Sequence, residues 1–202
     1  ELEEKEQALV KEQTRLDKLQ RDLDARSRRV NELEELIAAK DAKMNALKDA
    51  ISKALTNFEG KGLTVEQRDG KVYVSMENKL LFSSGSWAVN AEGRQAVQQL
   101  GQVLAENPDI AVLIEGHTDN VPYGGSGPLN DNWDLSTKRA TSIVQILKEN
   151  NNIDPQNLTA AGRGEYAPIA TNETAEGKAK NRRIEVILTP KLDEVTKLLN
   201  EE

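Results

Sequence analysis

Residues 110–119 read IAVLIEGHTD, and they combine the most hydrophobic run of the chain with its most informative motif. The five apolar residues at the start predict the central strand of a sheet that is covered on both faces or nearly so. Asp119 then lies just past the carboxyl end of this strand, which is where ligands bind in open α/β sheets. One stretch therefore predicts both the middle of a sheet and the edge at which a binding site is expected.

The segments around this strand predict a two-layer α/β sandwich. Residues 63–66 and 72–76 alternate in polarity, and Asp69-Gly70 between them is a strong hairpin signal. Helices are predicted at about residues 90–107 and 135–150, and strands at 158–162 and 183–188. Because two helices cannot cover both faces of such a sheet, we expect an α+β fold with a mixed sheet and both main helices on one face.

The first 58 residues carry an apolar residue at every seventh position. The repeat runs through Leu2, Leu9, Leu16, Leu23, Val30, Ile37, Met44, Ile51 and Phe58. Such a period is typical of helices that wind around one another, but half of the companion positions three residues later are polar, so the pairing should be weak. Two interpretations stay open. One is a parallel dimeric coiled coil or spacer stalk, and the other is a single amphipathic helix folded back on its own domain.

The change of period near Gly60 divides the chain into segments. We predict a helical coiled-coil stalk over 1–58, a linker with the first hairpin strand over 59–71, a globular domain over 72–190 and a C-terminal helical tail over 191–202. Because the chain opens on Glu1 rather than Met, we expect a piece of a longer protein whose targeting or membrane-anchoring segment lies upstream.

Composition and residue types exclude several classes of function. A net charge of −7 argues against nucleic acid as a partner, because no basic stripe is present to displace counterions. With one His, no Cys and no Gly-x-Ser-x-Gly motif, nothing supplies a nucleophile and a base at a recognisable spacing. His117 beside Asp119 is an acid–base candidate, although a structural His that bonds the loop backbone is favoured. One His with scattered carboxylates does not make a metal site, so we expect no enzyme, metal or cofactor.

Asp119 and Arg139 are the strongest candidates for binding a small ligand. Arg139 is predicted on the first turns of the helix that follows the central strand, where free N–H groups and the helix dipole also favour an anion. A zwitterionic amino acid could place its ammonium on Asp119 and its carboxylate on Arg139. An ordinary salt bridge between the two side chains fits the spacing equally well, so both interpretations stay open on spacing alone.

Three motifs resemble the signature of the OmpA-like peptidoglycan-binding domain. They are Gly116-His117-Thr118-Asp119, Asn132-x-x-Leu135-Ser136-x-x-Arg139-Ala140 and Asn181-Arg182-Arg183-Ile184-Glu185-Val186, and they fall in order within about residues 72–190. That family includes the C-terminal domain of outer-membrane protein A, the peptidoglycan-associated lipoprotein and the flagellar stator protein MotB. Two features depart from the pattern of the family: Ser83-Ser84 follow Phe82 where the family usually has Asp, and the loop 121–131 is longer and richer in Gly than in the lipoprotein branch.

The resemblance implies non-covalent binding of the diaminopimelate in uncrosslinked stem peptides, without catalysis. It assigns Asp119 and Arg139 to the amino-acid end of that residue, and it assigns Thr118, Asn132 and Arg183 to the lining of the same pocket. The neighbouring Arg182 is expected at the surface without a ligand role.

Two envelope functions follow from the resemblance. In the first, the domain holds peptidoglycan in the periplasm, and the stalk, which is a possible homodimer, connects it to an upstream anchor in the outer membrane. In the second, the chain is part of a motor stator whose upstream transmembrane helix crosses the inner membrane. A third class, an enzyme that cuts the wall, would need a metal or nucleophile that the sequence does not offer.

Overall fold

The computed structural model describes residues 1–125 and 127–191, so the predicted tail helix, apart from Lys191, lies outside the described residues. The helices are α1 (Leu2–Ala54), α2 (Asn78–Leu81), α3 (Ala91–Ala105), α4 (Asn132–Leu147) and α5 (Ala175–Asn181), with 3-10 turns at Thr56–Phe58 and Pro155–Asn157. The strands are β1 (Leu63–Arg68), β2 (Lys71–Glu77), β3 (Ile110–His117), β4 (Leu158–Gly162) and β5 (Arg183–Pro190). Among the described helices, none combines the length and the hydrophobicity needed to cross a membrane.

Residues 1–41 form a unit of their own within α1. The apolar residues of the sevenfold repeat are at least half exposed in this unit, from Leu2 at 79% to Val30 at 51%. Oppositely charged side chains also pair along the helix at a spacing of three or four residues, as in Lys5–Glu1 and Arg15–Glu12. Over these residues α1 is therefore a helix with one exposed apolar stripe.

The last turns of α1 belong to the globular unit, which spans residues 42–191. Met44, Ile51 and Leu55 are fully buried, and Leu47 is 3% exposed. The predicted boundary at residue 58 therefore lies too far along the chain. The reason is physical: the end of the sevenfold repeat packs into the domain core, so over these residues α1 behaves as an amphipathic helix on its own domain.

A mixed sheet of five strands has the order β1-β2-β5-β3-β4. Only β3 and β4 run parallel, while β1–β2, β2–β5 and β5–β3 are antiparallel. The middle strand is thus β5 and not β3, which lies between β5 and β4. The first six residues of β5 are all buried, whereas β3 alternates between buried and half-buried residues up to Glu115.

One hydrophobic core joins the sheet to the helices. It contains Val74, Ile114 and Val186 from neighbouring strands, together with Leu100 of α3 and Ile143 of α4. The predicted class, an α+β fold with a mixed sheet and helices after a long N-terminal helix, is confirmed. The short helices α2 and α5 were not predicted, because seven or fewer residues carry too little periodicity to reveal a helix.

The opposite face of the sheet holds a buried polar cluster around His117. His117 is 3% exposed, and neither of its ring nitrogens has a hydrogen-bond partner in the described chain. Its Nε2 atom lies 3.5 Å from a carboxylate oxygen of Glu115 and 4.0 Å from one of Glu185. Burial, with the nearby charge of Arg183, lowers the pKa of His117 to about 4, so the imidazole is neutral at pH 7.

Replacing a single isoleucine tests the new boundary of the globular unit. Ile51→Ala should lower its free energy of unfolding by about 2–5 kcal/mol, because Ile51 is fully buried. The matched control is Ile37→Ala at the same position of the repeat, where the side chain is 53% exposed, and its effect should stay within about 0.5 kcal/mol. Urea unfolding followed by tryptophan fluorescence reports this unit alone, since Trp87 and Trp133 both lie in it. Equal changes in the free energy of unfolding for the two variants would instead support a stalk that extends to residue 58.

The buried imidazole should make the domain sensitive to acid. Between about pH 6.5 and pH 4 the unfolded chain binds a proton at His117 that the folded chain does not. Each unit of acidification in this window therefore lowers the free energy of unfolding by up to about 1.4 kcal/mol. His117→Gln should remove this contribution, so urea midpoints at pH 7 and pH 5 should differ less in the variant than in the parent. An identical difference in both proteins would show that His117 is not buried in its neutral form.

Candidate ligand-binding cleft

Two glycines bring the start of α4 against the ends of two parallel strands. A Cβ atom on Gly116 of β3 would overlap the carbonyl oxygen of Ser136, and one on Gly162 of β4 would overlap the hydroxyl of Thr137. Only a residue without a side chain permits this approach. The helix begins here because the Asp131 side chain accepts a hydrogen bond from the backbone N–H of Asp134 at 2.9 Å. Residues on the first turns of α4 are thereby fixed beside the carboxyl end of β3.

A cleft of about 800 Å³ opens at this position. Its lining includes Phe82, Ser84, Gly85, Trp87, Thr118, Asp119, Val121, Pro122, Tyr123, Asn132, Leu135, Arg139 and Arg182. Four of the five residues predicted for the site are in this set: Asp119, Arg139, Thr118 and Asn132. The cleft thus joins the strand end, the following loop, the start of α4 and the connection between β2 and α3.

Asp119 is buried at the base of the cleft and is 4% exposed. One carboxylate oxygen accepts from Nη1 of Arg182 at 2.5 Å, and the other accepts from the backbone N–H of Val121 at 3.2 Å. The salt bridge of Asp119 is therefore made with Arg182, and no Asp119–Arg139 bridge is found between these two described side chains. The interpretation of Asp119 and Arg139 as a simple loop-steadying ion pair does not describe this structure.

Arg139 presents the opposite charge in the same cleft. Its Nε donates to the carbonyl oxygen of Ser86 at 2.9 Å, and its guanidinium carbon lies 5.1 Å from the centre of the Phe82 ring. Burial lowers the pKa of Arg139 to about 10, so the side chain remains charged at pH 7. No other described protein group accepts from this guanidinium, and its terminal N–H groups are available to a carboxylate.

Thr118 and Asn132 line the cleft with different roles. The Thr118 hydroxyl is buried and has no hydrogen-bond partner in the described chain. Asn132 Nδ2 instead donates to Glu165 at 2.8 Å and to the carbonyl oxygen of Val121 at 3.0 Å. Thr118 thus contributes a buried hydroxyl without a partner in the described chain, whereas the amide of Asn132 holds the surrounding loops together.

The structure places Arg183 outside the cleft and Arg182 inside it, which reverses the expectation from sequence. Arg183 lies on the opposite face of the sheet, where it donates to Glu185 at 2.9 Å and to the carbonyl oxygen of Ala167 at 3.2 Å. Successive side chains at the start of a strand point to opposite faces. Because Ile184 faces the helices, counting back by two would have assigned Arg182, and not Arg183, to the side of the cleft.

The described chain contains one group of side chains with metal-ligand chemistry, and it lies outside the cleft. Glu115, His117 and Glu185 offer three ligand atoms within 4.8 Å of one another. The positive charge of Arg183, which is bonded to Glu185, opposes a cation at that point. His117 therefore faces these carboxylates and not Asp119, so the acid–base pair considered from sequence is not formed.

Sequence relatives of this chain are found among motility proteins and lipoproteins. Motility protein B of Bacillus subtilis is 37% identical over 118 residues, which cover 58% of this chain and 45% of the relative. The probable lipoprotein YiaD of Escherichia coli is 33% identical over 139 residues, which cover 69% of this chain and 61% of the relative. The chain therefore spans less than two thirds of the length of either relative.

Solved structures share the fold. A putative MotB like protein from Desulfovibrio vulgaris matches with a TM-score of 0.69 at 24% identity, over 79% of this chain and 99% of that protein. The cell wall anchor of the T6SS from Pseudomonas aeruginosa matches with a TM-score of 0.63 at 30% identity, over 70% of this chain and 97% of that one. Residues 81–182, which make up half of the sequence, match the OmpA family, and the chain belongs to that family.

Proposed function

We propose that the cleft binds peptidoglycan non-covalently, through the diaminopimelate of uncrosslinked stem peptides. The observation that carries this proposal is the presence, in one cleft, of a buried carboxylate and a guanidinium with free N–H groups. Diaminopimelate ends in an amino acid that bears both an ammonium and a carboxylate. A site with one group of each charge, held on rigid elements, matches that end in charge and in hydrogen-bonding capacity.

The contacts assign a role to each side chain in the cleft. The ammonium would bind the Asp119 carboxylate, and the carboxylate would bind the terminal N–H groups of Arg139. Arg182, whose side chain is 39% exposed and already reaches Asp119, would add a second cation for the same carboxylate. The unpartnered hydroxyl of Thr118 would supply a further hydrogen bond.

A binding role without catalysis fits the chemistry of the cleft. Its described lining contains neither His nor Cys, and the buried His of the domain lies on the other face of the sheet. Membership of the OmpA family and the likeness to a cell wall anchor at 30% identity support a wall-binding module. The corresponding location is the periplasm, within the cell envelope.

Two ways of tethering the wall are supported by different relatives. The match to a lipoprotein over 69% of the chain favours an outer-membrane anchor upstream of the stalk. The 37% identity to Motility protein B favours a stator subunit of an ion-driven motor, with a transmembrane segment upstream. In both, α1 separates the anchor from the domain that holds the wall.

Charge removal in the cleft tests the proposed function. Asp119→Ala and Arg139→Ala should each weaken binding of a diaminopimelate stem peptide by about 30-fold or more, because losing one partner of a desolvated charge pair costs about 2–5 kcal/mol. Titration calorimetry with the peptide, and co-sedimentation with purified wall sacculi, measure this effect.

The matched control for this experiment is Arg94→Ala. Arg94 is an exposed Arg that pairs with Glu149 away from the cleft, and its removal should leave peptide binding unchanged. Unaltered binding by both cleft variants, with the parent protein binding, would exclude this cleft as the diaminopimelate site.

The stalk is proposed to pair with the stalk of a second copy. Its apolar stripe is exposed along residues 2–37, and the sevenfold period is the pattern that a partner helix of the same sequence covers. Sedimentation equilibrium of the 202-residue chain should give a dimer that weakens with dilution. Leu16→Asp, in the middle of the stripe, should give a monomer, whereas Asp17→Ala beside it should not. A monomeric parent at every accessible concentration would exclude the coiled-coil dimer.

A further inference from the structure

A stacked pair of exposed aromatic side chains lies beside the cleft. The rings of Trp133 and Tyr166 have their centres 5.3 Å apart and are inclined by 23°. Trp133 is 47% exposed and Tyr166 is 67% exposed. The chain has seven aromatic residues in all, so two of them are placed together at the surface, where they add nothing to the buried core.

The aromatic pair is built onto the frame of the cleft. Trp133 follows Asn132, which lines the cleft, and Tyr166 follows Glu165, whose carboxylate accepts from Asn132 Nδ2 at 2.8 Å. One hydrogen bond therefore connects the two backbone segments that carry the rings. The pair is thereby continuous with the cleft through the residues next to it in sequence.

A tight turn at Gly164 fixes the Tyr166 segment. Gly164 adopts a φ of +54°, its carbonyl oxygen accepts from the backbone N–H of Thr118 at 2.8 Å, and its N–H donates to Ser136 Oγ at 3.1 Å. Thr118, which lines the cleft, and Ser136, on the first turns of α4, thus both hold this turn. The aromatic rings are therefore pre-positioned relative to the Thr118 side of the cleft and are not carried on a free loop.

We propose that Trp133 and Tyr166 form a platform on which a sugar ring of the glycan strand packs while the stem peptide occupies the cleft. The inference rests on the proposed function and adds a second contact to it. A pyranose ring presents a face of C–H groups that packs on an aromatic ring, and the indole N–H and phenol hydroxyl can bond sugar hydroxyls at the edge. Both groups belong to exposed side chains, so they are accessible to a ligand.

The charge of the surroundings favours a neutral sugar as the occupant. Nucleic-acid bases also stack on exposed aromatic rings, but they bring phosphates with them. The carboxylates of Asp134 and Glu165 adjoin the pair in sequence and would repel such an anion. The N-acetylated sugars to which stem peptides are attached are neutral rings, and they are joined covalently to the ligand proposed for the cleft.

Comparing two soluble ligands separates the platform from the cleft. One ligand is the free diaminopimelate tripeptide, and the other is the same tripeptide attached to its N-acetylated disaccharide. The parent protein should bind the disaccharide peptide roughly tenfold more tightly. Tyr166→Ala should remove that advantage and leave the affinity for the free tripeptide unchanged, as measured by titration calorimetry.

Two further variants identify stacking as the cause. Tyr166→Phe keeps the ring and should retain most of the advantage, whereas Tyr73→Ala, a half-buried aromatic on β2, should change neither affinity. Equal affinities of the parent for both ligands, or an undiminished advantage in Tyr166→Ala, would overturn the platform alone. An equal loss for both ligands in Tyr166→Ala would also overturn it, because the residue would then act only through Glu165 and the cleft. A parent that binds neither ligand would overturn the proposed function and the platform together.

Discussion

The approach of α4 to the ends of β3 and β4 is the constraint on which the site depends. It exists because Gly116 and Gly162 carry no side chain where Ser136 and Thr137 come into contact with the sheet. The same turn of the helix then supplies Arg139 to the cleft, while its Ser136 hydroxyl holds the Gly164 turn. The absence of a side chain at these two glycines therefore lets α4 approach the sheet. This approach positions Arg139 in the cleft, the Gly164 turn and the aromatic pair.

Much of the fold could be predicted because its signals are local. The Asp-Gly turn defined the first hairpin, and three-to-four-residue periodicity defined α3 and α4. The middle of the sheet was assigned to the wrong strand because β5 carries Arg183 and Glu185, and charges in a sequence argue against burial. The two side chains form an ion pair with a distance of 2.9 Å, and the hydrophobicity of the sequence does not reveal such a pair. The end of the stalk was placed too far along the chain, because a sevenfold repeat does not specify whether a partner helix or the chain's own domain covers Ile51.

Some features of the candidate site could likewise be predicted from the local sequence, whereas others depend on tertiary contacts. Asp119 and Arg139 could be placed from the rule that ligands bind at strand ends, together with the position of the following helix. Choosing between Arg182 and Arg183 needed only the alternation of strand side chains counted from Ile184, a signal that was present in the sequence. The pairing of Trp133 with Tyr166 could not be predicted, because it depends on a turn at Gly164 and joins segments more than thirty residues apart.

The ion pair between Asp119 and Arg182 explains how the Asp119 carboxylate can stay buried in the protein without a ligand. A carboxylate that is 4% exposed would be strongly destabilising if left without a partner, and Arg182 supplies that partner in the free protein. In the proposed complex, an incoming ammonium would take over part of this role, and Arg182 would then join Arg139 around the carboxylate of the same ligand. Charges would thus be paired before and after binding, so the affinity for the proposed ligand would be a difference between two compensated states. Such a difference is small, and the proposed binding to the wall would therefore be reversible.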